Sequence, residues 1–181
     1  MKSTRGLYAS IVFLLALPLT ALSEMVFGTG EEAVIHAALA LGSGLMAGAV
    51  FDFKTPRWVA WVGSISTGVL AAVFFLQGVS ELTPGEWLRH IAYDVLGQQL
   101  EGWLVGLFMA WCVVVLMVDR QGAMRAVGIV ALSAVACATA YGQVLEYRGT
   151  SLDAQAPALK MLWLLPFVWI LFESKSVALR R

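Results

Sequence analysis

The stretch RWVAWVGSISTGVLAAVFFLQGVSE, residues 57–81, sets the class of the protein. No charged side chain occurs between Arg57 and Glu81. The run Trp58–Val79 is long enough to cross a hydrocarbon core, which takes about 20 apolar residues as a helix. Hydrocarbon offers the backbone no hydrogen-bond partners, so such a run is expected to be helical. It lacks the apolar–polar alternation of a barrel strand.

Similar runs recur on both sides of it. Gly6–Leu22, Ala33–Phe51, Gln98–Val118, Ala126–Leu145 and Ala158–Phe172 complete a predicted set of six spans. The fold expected is all-α: one polytopic membrane bundle over residues 1–181, with no Pro, Gly or Ser linker dividing it. Composition agrees. The chain is 60% hydrophobic and 13% charged, with mean hydropathy +0.80. Soluble domains carry roughly 25% charged residues.

Basic residues set the expected orientation. With the N-terminus inside, the inner segments hold Lys2, Arg5, Lys54, Arg57, Arg120, Arg125, Lys175, Arg180 and Arg181. The outer segments hold only Arg89, Arg148 and Lys160. The acids mirror this: Asp52, Asp119 and Glu173 lie inside, and the other nine lie outside. That asymmetry predicts a cytoplasmic-type (inner) membrane protein with both termini cytoplasmic. Trp58, Trp61, Trp87, Trp103, Tyr141 and Tyr147 fall near span ends, as an aromatic belt would, whereas Trp111 and Trp163 lie deeper and read as packing residues. Lys2, Arg5, the following apolar stretch and Ala21-Leu22-Ser23 also fit a signal peptide; cleavage there leaves five spans in the same orientation.

Net charge is zero, so nothing points to nucleic acid. The expected partners are the lipid bilayer and either a second copy of the chain or other membrane subunits. Gly44-x-x-x-Gly48 and Gly102-x-x-x-Gly106 suggest close helix packing, within the bundle or between copies. Cys112 and Cys137 form no CxxC or metal spacing and read as small buried hydrophobes. There is no P-loop and no GxSxG.

An internal echo links two segments. Thr29-Gly-Glu-Glu32-Ala-Val-Ile-His36 and Thr83-Pro-Gly-Glu86-Trp-Leu-Arg-His90 both read T-x-x-E-x-x-x-H. T-x-x-E is the capping-box pattern of a helix start, which explains the Thr and Glu but not the histidines. Pro84–Val118 as one straight helix would run about 50 Å, more than a bilayer core requires. A bend is expected at Gly97-Gln98-Gln99, with residues 84–96 as an outer interfacial amphipathic helix. Its polar stripe would be His90, Asp94, Gln98 and Glu101, and its apolar stripe Trp87, Ile91 and Val95.

Chemistry is expected, if anywhere, at a polar site near the outer face formed by Glu32, His36, His90, Asp94 and Glu101, with Glu146 nearby. His36 lies about 10 Å along the helix from Thr29, already below the interface, and an ionisable group inside a span is a functional candidate. Glu32, one turn earlier, either orients the imidazole or caps the helix. Oxygen and imidazole ligands would suit a divalent cation or a proton pathway. His36 and His90 could alternatively be axial ligands of a b-type haem. The plain alternative is a hydrogen-bonded packing histidine and a solvated polar stripe.

Glu31-Glu32-Ala-Val-Ile-His36 and His90-Ile-Ala-Tyr-Asp94 resemble fragments of the EExxxR and HxxxN/D motifs of the CAAX-protease and PrsW-like glutamate-type membrane proteases. That resemblance implies a Glu pair that activates water. His36 stands where Arg or Lys is expected, and the intermediate FxxxH or FxxxE motif is absent. The leading expectation is a non-enzymatic binding or transport component, or an accessory subunit.

Overall fold

The computed structural model describes residues 4–26, 32–119, 123–148 and Val168, with some side chains in these stretches left out. The described chain is helical and contains no strand. Helix α1 spans Thr4–Val26 and α2 spans Glu32–Ala49, ending in a 3-10 turn at Val50–Asp52. Helix α3 covers Arg57–Leu82. A short α4, Glu86–Arg89, runs without interruption into a π-helical stretch, His90–Glu101, and then into α5, Gly102–Asp119. Helix α6 covers Ala123–Tyr147. The predicted span at 158–172 lies outside the described residues apart from Val168.

Two helices are long and apolar enough to cross a membrane: Ala33–Asp52, which is α2 with its 3-10 turn, and α3. Glu86–Gly97 and Gly102–Val115 meet at 40° and count as a third if they form one broken span. Thr4–Ala16 and Gly128–Gly142 are shorter apolar helical stretches. The expected bend near Gly97 is therefore present, but the chain bends as a continuous helix. The device is a π-helical run, whose wider turn bonds each N–H to the fifth carbonyl before it.

Contacts at glycines define the packing. Neighbouring helices are antiparallel: Phe13 of α1 lies over Gly42 and Arg5 over Gly48, while His36 of α2 lies over Gly78 and Ala47 over Gly68 of α3. Gly63 of α3 receives Trp111 of α5, and Gln77 receives Gly97. The core runs from Phe13 and Ala16 through Met46 and Val50, Val73 and Phe74, to Phe108, Trp111 and Val115, with Leu132 and Val135 from α6.

Small polar side chains are buried within the apolar core, and many large apolar ones are exposed. Ser10, Ser43, Ser66, Thr67, Gln77, Ser80 and Thr139 are buried, while Trp58, Trp61, Ile65, Phe75, Trp87, Trp103 and Tyr141 are exposed. Lipid accepts apolar surface at no cost, and small hydroxyls pack between helices and bond their own backbone. Thus Ser10 donates to Gly6 O at 2.8 Å, Thr67 to Gly63 O at 2.8 Å and Thr139 to Val135 O at 2.9 Å.

Several expectations need correction. Gly44 and Gly106 have nothing within 4 Å of where a Cβ would stand. The close approaches are at Gly42, Gly48, Gly63, Gly78 and Gly97, so of Gly44-x-x-x-Gly48 only the second glycine is in close contact, against Arg5 of α1. The capping box at Thr83–Glu86 does not form: Gly85 is the N-cap without a side-chain bond, and Thr83 Oγ1 turns back to Val79 O at 2.8 Å. Thr83 therefore closes α3 and does not open α4; Thr29 lies outside the described residues. Cys112 is buried as expected, but Cys137 is exposed. Trp111 is buried as expected, and Trp163 lies outside the described residues.

Candidate functional site

The predicted site residues separate into two groups. His90 and Asp94 face outward and pair with each other, Nδ1 to Oδ2 at 2.6 Å, with side chains 64% and 54% exposed. One helical turn apart on an exposed surface, they satisfy one another in water. His36 is half-buried on α2, its Cβ 3.3 Å from where Gly78 would carry one. Its ring meets the edge of Tyr93 at 5.8 Å between centroids and lies 6.4 Å from Phe74. The partner that the 86–101 segment presents to His36 is thus Tyr93. Glu32 begins α2 one turn before His36, but its side chain lies outside the described set, as does that of Glu146.

The segment packs by its edge Leu88, Ala92 and Leu96, of which Ala92 is fully buried. Of the apolar stripe Trp87, Ile91 and Val95, Trp87 and Val95 are exposed and Ile91 is half-buried. The polar stripe is also divided: His90 and Asp94 point out, whereas Glu101 is half-buried next to α3.

The residue that sequence reasoning passed over is Gln77. It lies in the uncharged run of α3 and is only 3% exposed. Its Nε2 donates to Ala92 O at 3.4 Å, across to the π-helical stretch. Its Oε1 is buried and accepts no hydrogen bond. At Gly97 the two elements nearly touch: a Cβ there would stand 2.9 Å from Gln77 Nε2, 3.2 Å from Ala92 O and 4.0 Å from Glu101 Oε2. Gln77 and Glu101 therefore converge on one glycine. A carboxamide alone in a long apolar run was the sequence signal available, because burying it without full hydrogen bonding is costly.

At the junction of α2, α3 and the π-helical stretch, His36 packs on Gly78 and Tyr93, and Gln77 on Gly97 and Ala92. Long π-helical runs are uncommon, and single π turns cluster at functional sites. Among the described residues, no three of His, Cys, Asp and Glu come together as a metal-holding group. At the far end of α3, Glu81 and Arg89 pair loosely at 3.9 Å beside the Thr83–Gly85 turn.

No protein-family model matches the chain, and neither do the curated proteins or the solved structures compared with it. The resemblance to glutamate-type membrane proteases gains no support from these comparisons. Glu31 lies outside the described residues, and His90 and Asp94 are turned outward.

Proposed function

We propose that this chain is a six-span protein of a cytoplasmic-type membrane, with both termini in the cytoplasm, that binds or moves a small ligand without chemical conversion. It would act alone or as an accessory subunit of a larger membrane assembly. The charge asymmetry of the sequence supports the orientation. The large apolar side chains exposed on the helices support the lipid setting.

The observation that carries the binding reading is Gln77. A buried carboxamide with an idle acceptor, facing a π-helical neighbour, is expensive as scaffold and useful as a site. Glu101 and His36 border the same junction from two other elements.

Two experiments test the proposal. Reporter fusions after Lys54, Arg120 and Arg181 should report cytoplasm, and fusions near Glu81 and Ser151 the outer side; an outer 52–57 loop overturns the topology. Proteoliposomes carrying the full chain should pass small cations faster than empty vesicles, as read by an entrapped dye. His36→Ala should abolish that flux in protein that still inserts and runs as one species. Unchanged flux in His36→Ala returns this residue to a packing role.

A further inference from the structure

The turn that joins α3 to α4 carries a cavity of about 550 Å³, with Glu81, Leu82, Thr83, Glu86 and Arg89 in its wall. The space over Gly85, also in the wall, is open: a Cβ there meets nothing within 4 Å. The Glu81 side chain is only 8% exposed, and its Oε1 is buried and accepts no hydrogen bond. Arg89, its ion-pair partner, stands 3.9 Å away, beyond hydrogen-bond length, on a side chain 63% exposed. A carboxylate removed from water is costly unless it is hydrogen-bonded, and one loose, solvent-screened contact offsets little of that cost. The hydroxyls in the wall are committed elsewhere. Ser80 donates to Gln77 O at 2.7 Å and Thr83 to Val79 O at 2.8 Å.

Resting on the reading that this turn lies at the outer membrane surface, we propose that the cavity takes the headgroup of an aminophospholipid, its primary ammonium on Glu81 and its phosphate on Arg89. The wall carries both signs of charge. A simple cation would gain Glu81 but meet Arg89, and a simple anion would draw Arg89 away and leave Glu81 buried alone. A zwitterion uses both, and Glu86, exposed beside them, adds a second carboxylate for the ammonium. No three His, Cys, Asp or Glu side chains gather to hold a metal among the described residues. The acceptor left idle on Glu81 selects a primary ammonium, which donates hydrogen bonds, over a quaternary one, which has no N–H.

The place suits a lipid. Helix α3 has 26 residues and so measures about 39 Å, against about 30 Å for a hydrocarbon core, which carries its last turn to headgroup level. Leu82 in the cavity wall and Trp87 next to Glu86 are 77% and 73% exposed, and tryptophan favours that interface.

The test is thermal unfolding of the purified full-length protein in detergent micelles. They are doped with phosphatidylethanolamine, phosphatidylcholine or phosphatidylglycerol of one acyl composition, or supplied with soluble glycerophosphoethanolamine. Phosphatidylethanolamine should raise the unfolding temperature saturably, by roughly 5–10 °C at a hundredfold excess over its dissociation constant. The other two lipids should not. Glu81→Gln should weaken the response about tenfold, because a charge-assisted hydrogen bond becomes a neutral one. Arg89→Ala should weaken it severalfold and, at an exposed position, serves if Glu81→Gln does not fold.

An equal shift with phosphatidylcholine overturns the ammonium assignment, and tighter phosphatidylethanolamine binding by Arg89→Ala overturns the phosphate contact. A response to glycerophosphoethanolamine as tight as to the lipid supports the headgroup chemistry and overturns the bilayer as its source. Folded protein that ignores all four, while fusions near Glu81 still report the outer side, overturns the inference alone. Fusions that report Glu81 in the cytoplasm remove the topology on which it rests.

Discussion

Gly63→Ala and Gly44→Ala make the same chemical change in two neighbouring helices, and the structure predicts opposite results. A Cβ on Gly63 would stand 2.7, 2.8 and 3.0 Å from Cγ, Cδ1 and Cδ2 of Trp111. That ring cannot retreat easily. It is 1% exposed, stacked on Phe108 at 5.6 Å and met edge-on by Phe53 at 5.4 Å. Overpacking of this kind costs about 1–3 kcal/mol, and three buried ring atoms place Gly63→Ala at the upper end. At Gly44 the added methyl meets nothing within 4 Å. Both changes gain about 1 kcal/mol of helix propensity, so this contribution cancels between them. The two variants should therefore differ by about 3 kcal/mol, with Gly44→Ala slightly more stable than wild type. Reversible unfolding in mixed detergent and SDS micelles, followed by far-ultraviolet circular dichroism, measures the difference. Stabilities equal within about 0.5 kcal/mol would refute the packing of α5 on α3 through Trp111.

Cysteines placed singly from Trp87 to Leu96 should react with an impermeant thiol reagent at the His90 and Asp94 positions and be protected at Leu88, Ala92 and Leu96; labelling at Ala92 comparable to that at His90 would contradict the buried edge. Asp94→Ala should change stability by less than about 1 kcal/mol, because the His90–Asp94 pair is more than half exposed and solvent screens it. A loss above 2 kcal/mol in the same unfolding assay would mean that the pair holds the π-helical stretch in place.

The helical class and the positions of five helices were legible in the sequence because length and apolarity alone decide them in lipid. Ala33–Phe51 and Trp58–Val79 fall within a few residues of the helices observed. The bend after residue 96 was legible from the excess length of Pro84–Val118. Rotational phase was not. Which face of α2 packs depends on Phe13 reaching Gly42, a contact between separate helices that no local spacing encodes. In the 86–101 segment Ala92 is the residue that turns inward, while Trp87 and Val95 are exposed. His36 was singled out for its charge inside a span, and it does lie at the helix junction. Tyr93 and Gln77 carry no charge and so gave no comparable signal; Gln77 Oε1 is one of several buried polar atoms without a hydrogen bond, Ser43 Oγ and Trp111 Nε1 among them.

That idle amide makes a final prediction about stability. Gln77 is 3% exposed, and its one bond, to Ala92 O, is 3.4 Å long, at the outer edge of useful geometry. Such a bond contributes under about 1 kcal/mol, while a buried acceptor without a donor costs about 1–3 kcal/mol. The unfolded chain in lipid or detergent also finds partners for a glutamine, which reduces the difference. Ala92 O remains inside the helix ladder whether or not Gln77 donates to it. Gln77→Leu, of similar length and apolar throughout, should therefore be more stable than the natural protein by about 1 kcal/mol. The same detergent unfolding assay decides it. If Gln77→Leu is instead destabilised by 2 kcal/mol or more, the carboxamide is holding the 86–101 segment against α3, and its role is structural.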